Sequence, residues 1–522
     1  MTSGRPGSSG VTLAEVLSAF SLATDLGLGQ PMEHLLRSWR IAARLADRVA
    51  VPGEQRASLF YVAMLAWVGC VADAPEVAAS FGDDIAFRAR SYDVDMVGMA
   101  ALGFFVSHAG AGGSAAKRFR AAATVVATGG TGVARGIQSH CLSTSALAEQ
   151  LRLEPGVPVA LRQFFARWDG RGVPPDVRGE QLALVMRVFH LADVVEVHHR
   201  RGGVEAAVAV ARARRGSQFD PALVDVFCAA APEVLPSEAD GHDVHHLIAA
   251  EPGLMDQLTE DELEAALQAL ADFTDLRSAS RAGHSRGVGD LAGAAAANLG
   301  LAPADVTATR RAGYVHDVGL HGVPATILDK PGPLSATEWE RVRAASYYTE
   351  RVLSRPAALA RLGAIAAVAH ERMDGSGYHR EVSGSQLPLT GRTLAAACAF
   401  KAMTEPRAYR PAMTGKQAAA VLRAEARAGR IDANAADAVL AAAGNGGRRR
   451  VSGPAGLTAR EVEVLVLIAH GAQTSEVARR LGISRKTAGT HIERIYAKTG
   501  ASSRSTATLF ALRNGLLDPL DL

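Results

Sequence analysis

An adjacent histidine and aspartate, His316-Asp317, and a second polar pair, His370-Glu371, are the residues of this chain whose types suit metal chemistry. Imidazole nitrogens and carboxylate oxygens are both common ligands of divalent metals. A carboxylate that bridges two metal ions can also position a metal-bound hydroxide for attack on phosphorus. The alternative is structural, because a buried His-Asp pair and a His-Glu pair at a helix end can serve packing alone.

The second pair opens a longer motif, HERMDGSGY, which runs from His370 to Tyr378. Together with His316-Asp317, it resembles the HD-GYP class of HD-superfamily phosphohydrolases. The resemblance covers most of residues 258–446 and implies a helical domain that hydrolyses cyclic di-GMP at a centre of two or three metals. Of the metal ligands that it implies, four are present in this chain: His284, His316, Asp317 and His370.

Three other ligands that the resemblance implies are replaced. Ala345 and Ala369 stand where the class has histidines, and Cys398 stands where it has an aspartate. Leu320 also replaces a frequent lysine, and His379 replaces the last residue of Gly-Tyr-Pro. The loss of two imidazoles and a carboxylate predicts that no complete two-metal centre forms. The remaining ligands predict at most a single divalent metal such as Fe or Mn, and we assign no catalytic residue.

A diverged copy of the same pattern lies upstream. The segment that ends at Asp193 matches the segment that ends at Cys398 without gaps, at an offset of 205 residues. The segment around His34 matches that around His284 at an offset of 250 residues. We therefore predict two tandem helical domains, residues 11–232 and 258–446, the first with an insertion at about 84–136.

The upstream copy has lost a different set of ligands. Ala66-Trp67 stands at the His-Asp position and Phe164-Phe165 at the paired histidines, which predicts an apolar core in place of the metals. His34, His140 and Asp193 keep ligand residue types. A site assembled from both copies is rejected, because equivalent positions in two packed domains lie about a domain radius apart. The upstream histidines, including His190, are predicted to be structural or exposed.

The C-terminal end predicts a compact set of helices. Thr458 and Glu461 have the spacing of a capping box at a helix start. A second short helix is expected from Ser475 to Leu481, ending at Gly482. Ser484 caps a third helix that runs from Arg485 to about Lys498, with Ala488, Ile492, Ile495 and Tyr496 on its inward face.

The same end is basic. Residues 454–517 hold nine Lys or Arg against four Glu, whereas the whole chain has a net charge of only +3. The segment resembles the LuxR/NarL-type helix-turn-helix, a four-helix domain whose third helix enters the DNA major groove. Carried over, the resemblance implies these DNA-binding residues: Arg485, Lys486, Thr487, Thr490, His491, Arg494 and Lys498.

Composition bounds the remaining expectations. The chain of 522 residues is 48% hydrophobic but only 5% aromatic, which favours helices, so we predict an all-α protein. Four cysteines without metal-type spacing favour a reducing, cytoplasmic compartment. Residues 1–10 are predicted to be a disordered tail, 447–453 a flexible basic linker and 454–517 the DNA-binding domain. No membrane association is expected.

These features favour a transcription regulator in which the two degenerate domains sense a ligand or dimerise. Double-stranded DNA is the expected partner, and a nucleotide or another small molecule is the expected ligand. DNA-binding domains of this kind act in pairs, so a homodimer is expected. The alternative function is a DNA-tethered, metal-dependent phosphohydrolase that resembles cyclic di-GMP phosphodiesterases and keeps residual activity in the second copy.

Overall fold

The computed structural model describes residues 8–127, 131–236, 248–354, 357–444, 455, 457–514 and 516–517. Contacts divide the chain into two compact units, here called the N-terminal unit (Met1–Ala266) and the C-terminal unit (Leu267–Leu522). Almost every described element is a helix, which confirms the predicted all-α class. The basic linker predicted at 447–453 lies outside the described residues.

Thirteen of the described α-helices lie wholly in the N-terminal unit. They are α1 (Leu13–Gly27), α2 (His34–Arg48), α3 (Gly53–Leu65), α4 (Gly69–Ala72), α5 (Ala74–Phe81), α6 (Asp84–Ser91), α7 (Gly98–His108), α8 (Ala115–Ala127), α9 (Thr131–Gln150), α10 (Gly156–Leu161), α11 (Leu184–Ala213), α12 (Pro221–Ala229) and α13 (Ala231–Val234). Helices α6 to α8 and the start of α9 span residues 84–136, where the sequence predicts the insertion.

The C-terminal unit begins within α14 and ends with the basic helices. Its elements are α14 (Glu260–Asp275), α15 (His284–Asn298), α16 (Pro303–Val315), α17 (Ala325–Leu328), α18 (Ala336–Ser354), α19 (Ala360–Ala366), α20 (Leu389–Thr404), α21 (Gly415–Arg427), α22 (Ala433–Gly444), α23 (Ala459–Ala469), α24 (Thr474–Leu481), α25 (Arg485–Thr499) and α26 (Arg504–Arg513).

Two short strands were not predicted. In the N-terminal unit, β1 (Ser8–Thr12) pairs antiparallel with β2 (Gln257–Thr259). The prediction of a disordered tail over 1–10 is therefore wrong for residues 8–10, while 1–7 lie outside the described residues. Each strand runs directly into a helix whose first turn is closed by a capping box, so the backbone is already extended at the cap.

The core of the N-terminal unit is built on α2, α3 and α11, which pack against one another. The stretch Gly53–Ala72 is long and apolar enough to span a bilayer, but 72% of its window is buried inside the protein. Such burial is the behaviour of a core helix. Helix α11 is interrupted at Gly202 and Gly203, where the backbone leaves helical geometry and Gly203 has φ of 70°.

Helices α23 to α26 form the helix-turn-helix as the sequence predicts. Thr458 and Glu461 make the capping box of α23, and Ser484 caps α25 by accepting a hydrogen bond from Thr487 N. Gly482 ends α24 in the left-handed region with φ of 62°. Helix α24 begins at Thr474, one residue before the predicted start.

Candidate functional site

The third helix of the C-terminal domain, α25, presents one apolar and one polar face. Ala488 and Ile495 are fully buried, and Ile492 and Tyr496 pack against the same core. The opposite face is exposed, which is the arrangement that a helix inserted into a DNA groove requires. Six of the seven predicted DNA-binding residues are exposed there, namely Arg485, Lys486, Thr487, Thr490, Arg494 and Lys498. The seventh, His491, is half-buried.

Lys498 differs from the other basic residues of α25. Its Nζ lies 2.7 Å from Oε2 of Glu461, the carboxylate of the α23 capping box. This contact and the backbone N–H of Thr458 lower the pKa of Glu461 to about 2. Lys498 therefore joins α25 to α23, and its ammonium reaches a phosphate only if it leaves that carboxylate.

The four metal-ligand candidates of the C-terminal unit do meet at one point. Asp317, directly after α16, contacts three imidazoles, with its oxygens 3.1 Å from Nε2 of His316, 3.2 Å from Nε2 of His370 and 3.7 Å from Nε2 of His284. Cys398 Sγ lies 3.6 Å from His316 Nε2. The cysteine thus approaches this cluster from α20, as its alignment with a lost aspartate predicts.

A guanidinium lies in this cluster. The Arg281 side chain is only 15% exposed, and its Nη2 makes an ion pair with Asp317 Oδ2. Arg281 belongs to a short turn, Ala279–Arg281, immediately before α15. Because arginine stays protonated in proteins, it places a permanent positive charge on the carboxylate that would bridge two metals.

The surrounding imidazoles are neutral. Burial, together with Arg281, lowers the pKa of His284 to about 3 although the Glu405 carboxylate opposes the shift. Burial and Arg281 also lower the pKa of His370 to about 4. The pKa of His316 falls well below its ordinary value because of burial and the two neighbouring histidines. Neutral imidazoles are competent ligands, so the obstacle to metal binding is the guanidinium and the missing ligands.

A complete two-metal centre does not fit these residues. Among the described residues of the C-terminal unit, His284, His316 and Cys398 offer atoms within 4.8 Å of one another, and so do His316, Asp317 and His370. The two groups share His316, so they are alternatives for one ion rather than two separate sites. Ala345 and Ala369 are buried and supply no ligand atom.

Sequence reasoning missed Arg281 and Glu405. Glu405 Oε2 lies 2.6 Å from Nδ1 of His284 and 3.0 Å from Nη2 of Arg407. Neither residue has a diagnostic spacing from the His-Asp pair. The available signal was the short sequence distance of Arg281 from His284, which allows a long side chain to reach the same ligands.

Beside His370 lies an open groove of about 420 Å³. Tyr378 stacks on the His370 ring with centroids 5.2 Å apart and planes at 11°. Trp339, Arg343 and Arg372 also line the groove, and Trp339 is 45% exposed. Aromatic faces with two guanidinium groups suit a base joined to phosphate.

At the positions that the sequence aligns with this cluster, the N-terminal unit holds an ion-paired network. His34 Nδ1 lies 2.6 Å from Glu196 Oε2, and His34 Nε2 lies 3.0 Å from Asp193 Oδ1. Tyr92 and Trp67 also donate hydrogen bonds to Asp193. Burial alone would lower the pKa of His34, but Glu196 and Asp193 raise it to about 10. His34 is therefore a buried cation, whereas His284 is neutral.

Glu196 holds His34 and Glu405 holds His284. When α11 and α20 are aligned by sequence, these two glutamates do not coincide but are displaced by one helical turn. On α11, Glu196 pairs with Arg200 at 3.4 Å. On α20, the aligned pair is reversed, with Lys401 and Glu405 at 3.5 Å. An exchange of charge at two aligned positions keeps a carboxylate on the histidine Nδ1 in each unit.

The charged His34 predicts a pH dependence of stability. The pKa of His34 is about 10 in the folded chain, against about 6.5 when unfolded, so its stabilisation is complete below the unfolded value. It is lost as the pH rises through the folded value. Burial opposes ionisation of Glu196, but His34 lowers its pKa to about 2, so the carboxylate's contribution is lost only as the pH falls from about 4.5 towards 2.

We therefore expect Glu196→Gln to destabilise the protein most between about pH 4.5 and 6.5. Breaking a buried pair costs roughly 3 to 5 kcal/mol, and the difference from wild type should shrink as the pH approaches 10. Thermal unfolding of the wild type and the variant between about pH 4.5 and 10 measures this difference in stability. Glu149→Gln, which alters an ion pair about half exposed to solvent, is the matched control. A difference that does not change with pH would contradict the charged state of His34.

The upstream positions of the metal ligands hold aromatic residues that contact one another, as the sequence predicts, but these residues do not fill all the space there. Trp67, Phe164 and Phe165 occupy the expected positions, but they line a cavity of about 330 Å³, here called the aromatic chamber. His140 and His190, which also line it, are satisfied: their Nε2 atoms bond to the carbonyls of Ala66 and Phe164. Because these rings face open space, the stabilisation of roughly 25 cal/mol per Å² of buried apolar surface is not gained there.

Comparisons with known proteins agree with both parts of the chain. Residues 248–435 match the HD domain family, and residues 455–511 match the luxR family of bacterial regulatory proteins. The 3′3′-cGAMP-specific phosphodiesterase 3 of Vibrio cholerae is 30% identical over 415 residues, covering 78% of this chain and 90% of the relative. A transcriptional regulatory protein of Bacillus subtilis, YxjL, is 42% identical over 60 residues, which are 12% of this chain and 28% of the relative.

A solved structure is also similar to this chain over most of its length. The crystal structure of a cyclic GMP-AMP specific phosphodiesterase of V. cholerae, V-cGAP3, matches with a TM-score of 0.59 at 27% identity, covering 84% of this chain and 98% of the other. Because the relative from V. cholerae is matched over nearly its whole length, the likeness is not confined to one motif. The chain therefore belongs to the HD-domain family that includes the HD-GYP phosphodiesterases, and it carries a luxR-family helix-turn-helix domain at its C-terminal end.

Proposed function

We propose that this protein is a cytoplasmic transcription regulator in which HD-GYP-like domains without a working metal centre control a DNA-binding domain. The observation that carries the proposal is the Arg281 guanidinium on Asp317, in a domain followed by an exposed basic recognition helix. The first feature opposes metal-dependent hydrolysis, and the second is suited to DNA. The aligned contacts of His34 and His284 support descent of the two domains from one duplicated ancestor.

The ligand that we propose for the C-terminal unit is a nucleotide with a phosphodiester, held in the groove beside His370. Stacking on Trp339 or Tyr378 would hold a base, and Arg343 and Arg372 would hold phosphate oxygens. The relatives' names refer to 3′3′-cGAMP and cyclic di-GMP, so cyclic dinucleotides are the first compounds to test. Binding without cleavage makes such a domain a receptor.

A direct contact supports control of the DNA-binding domain by this ligand site. Ala282, the neighbour of Arg281, is buried in the hydrophobic core of the helix-turn-helix domain. A side chain added at Gly283 would meet Leu512 of α26 at 3.3 Å. The turn that holds Arg281 against Asp317 is therefore also packed against α26, and we propose this contact as the route by which a shift at the ligand site would reach the DNA-binding domain.

Selection from random duplexes tests this function. The full chain should enrich one sequence, with two half-sites about one helical turn apart if two chains bind together. A cyclic dinucleotide should then change the affinity for that sequence by roughly 5- to 150-fold, and Ala282→Asp should reduce this response. Equal retention of all duplexes would overturn the DNA-reading function, whereas enrichment without any ligand response would overturn the control.

The second candidate function is a DNA-bound phosphodiesterase with residual activity. The observation in its favour is that His284, His316, Asp317 and His370 remain gathered around one carboxylate. It requires Arg281 to leave Asp317 when metal binds. Turnover of cyclic dinucleotides by the purified chain, lost in His316→Ala, would favour this reading.

A further inference from the structure

We propose that the aromatic chamber of the N-terminal unit is a binding site for a planar aromatic molecule of two or three rings. The chamber lies where the aligned C-terminal unit gathers its metal-ligand residues, since Trp67 aligns with Asp317 and Phe165 with His370. Neither DNA binding nor the groove beside His370 uses it. The site is thus distinct from both functions proposed above.

The size of the chamber sets the size of its ligand. An apolar cavity of ~150 Å³ binds benzene, and drug-sized ligands occupy pockets of roughly 300 to 1,000 Å³. A chamber of about 330 Å³ lies at the lower end of the second range and accommodates one fused or linked ring system. A dinucleotide with two bases, two sugars and two phosphates belongs to the upper part of that range.

The lining determines the chemical class. The chain has only 15 Phe, 4 Trp and 8 Tyr, yet seven of these residues line this one chamber. Trp67 and Phe164 meet edge to face at 4.8 Å, and Phe81 stacks on Phe87 at 4.4 Å. Such walls offer both ring faces and ring edges, which is the environment that a planar aromatic guest prefers.

The polar groups of the floor are already satisfied by the protein. The Trp67 indole N–H and the Tyr92 hydroxyl both donate to Asp193, which also contacts the charged His34. Arg88 is paired with Asp73 and Asp84. Arg167 and Arg214 are likewise bonded to Asp95 and to the Tyr92 carbonyl, and Arg171 is exposed at the rim. Inside the rim, a guest therefore meets mainly ring surfaces and already bonded polar groups, so an apolar body is favoured over a sugar or a phosphate.

The insertion supplies the outer wall. Phe87, Tyr92 and Phe105 come from the residues at about 84–136 that the C-terminal unit lacks. Exposed residues, including Ser80 and Arg171, stand at the rim. The added helices thus enclose a space that opens to solvent, which distinguishes the chamber from a sealed packing defect.

Binding here does not depend on the proposed regulatory function. Only its consequence does, because a guest would act on DNA binding only if the chain is a regulator. The two proposals fail separately, since binding to the chamber is measured without DNA and without nucleotide.

The test uses the neutral fluorescent probe N-phenylnaphthylamine, which has three aromatic rings, with the full wild-type chain. We expect saturable binding that quenches tryptophan fluorescence, with most of the quenching lost in Trp67→Phe and retained in Trp339→Phe. Val77→Trp and Val94→Trp fill the chamber from two different segments and should weaken binding at least tenfold. Val159→Trp, at a position that is 52% exposed and does not line the chamber, is the matched control and should bind as wild type does.

Circular dichroism melting shows whether each variant is folded. Absence of saturable binding to the wild-type chain would overturn the proposal, and so would unchanged binding to folded Val77→Trp and Val94→Trp. If neither of these variants folds, the comparison of tryptophan quenching in Trp67→Phe and Trp339→Phe decides. Equal loss of quenching in Trp67→Phe and Trp339→Phe would place the probe elsewhere and overturn the chamber as its site.

Discussion

Lys486→Ala should weaken binding to the selected DNA sequence by roughly 1 to 3 kcal/mol, which is about a 5- to 150-fold loss of affinity. Lys486 is exposed in the first turn of α25, where side chains of a recognition helix reach base edges. A base contact is lost for the preferred sequence only. Affinity for unrelated duplexes should therefore change much less than affinity for the selected one.

Fluorescence anisotropy with the selected duplex and a scrambled duplex measures both quantities. Lys416→Ala, also an exposed lysine but on α21 outside the DNA-binding domain, is the matched control. Arg494→Ala should instead weaken binding to both duplexes and reduce the salt dependence by about one ion. If Lys486→Ala weakened both duplexes equally, Lys486 would be a phosphate contact and not a base contact.

Restoring the metal ligands should produce a metalloprotein only if Arg281 is also removed. The variant Arg281→Ala with Ala345→His, Ala369→His and Cys398→Asp should bind at least one Mn²⁺ per chain, far above wild type. The same ligand changes with Arg281 kept should bind much less, because the guanidinium holds Asp317 and repels a cation. Elemental analysis after dialysis against Mn²⁺ measures the metal content of both variants.

A lysine at position 281 is the matched control, because it keeps the charge without the guanidinium. With the three restored ligands, Arg281→Lys should take up less metal than Arg281→Ala. Thermal unfolding of each variant confirms that it is folded. If the variant with alanine at 281 bound no more metal than wild type, the alignment of Ala345, Ala369 and Cys398 with lost ligands would be wrong.

The helix-turn-helix domain could be read from sequence because its signals are local. Thr458, Ser484 and Gly482 act on backbone groups within four residues, so their types and spacing predict the helix ends that the structure has. The apolar face of α25 follows from helical period alone. Lys498 is the exception, since its contact with Glu461 joins residues 37 positions apart.

The metal-ligand candidates were found for a different reason. His284, His316, Asp317 and His370 were identified by resemblance, and their proximity came from the fold that the resemblance implied. Arg281 was not found because no spacing rule states where a long side chain from a turn will reach. Its role is visible only when Asp317 and the guanidinium are seen in one place.

The cavity of the aromatic chamber could not be predicted from the types of the substituted residues alone. Trp67, Phe164 and Phe165 in place of metal ligands favoured a filled core, since large apolar residues normally pack to high density. Whether such residues fill a space depends on the elements around it. Here the insertion adds a wall with Phe87 and Phe105, and space remains between the two sets of rings.

The metal content of the wild-type chain, purified without oxygen or chelator, is the most direct test of the proposed regulator, with cyclic dinucleotide turnover measured on the same sample. We expect well under one metal per chain and no turnover, because Arg281 holds Asp317 and three ligands are missing. Two metals per chain together with turnover would contradict it and make the phosphodiesterase reading the correct one.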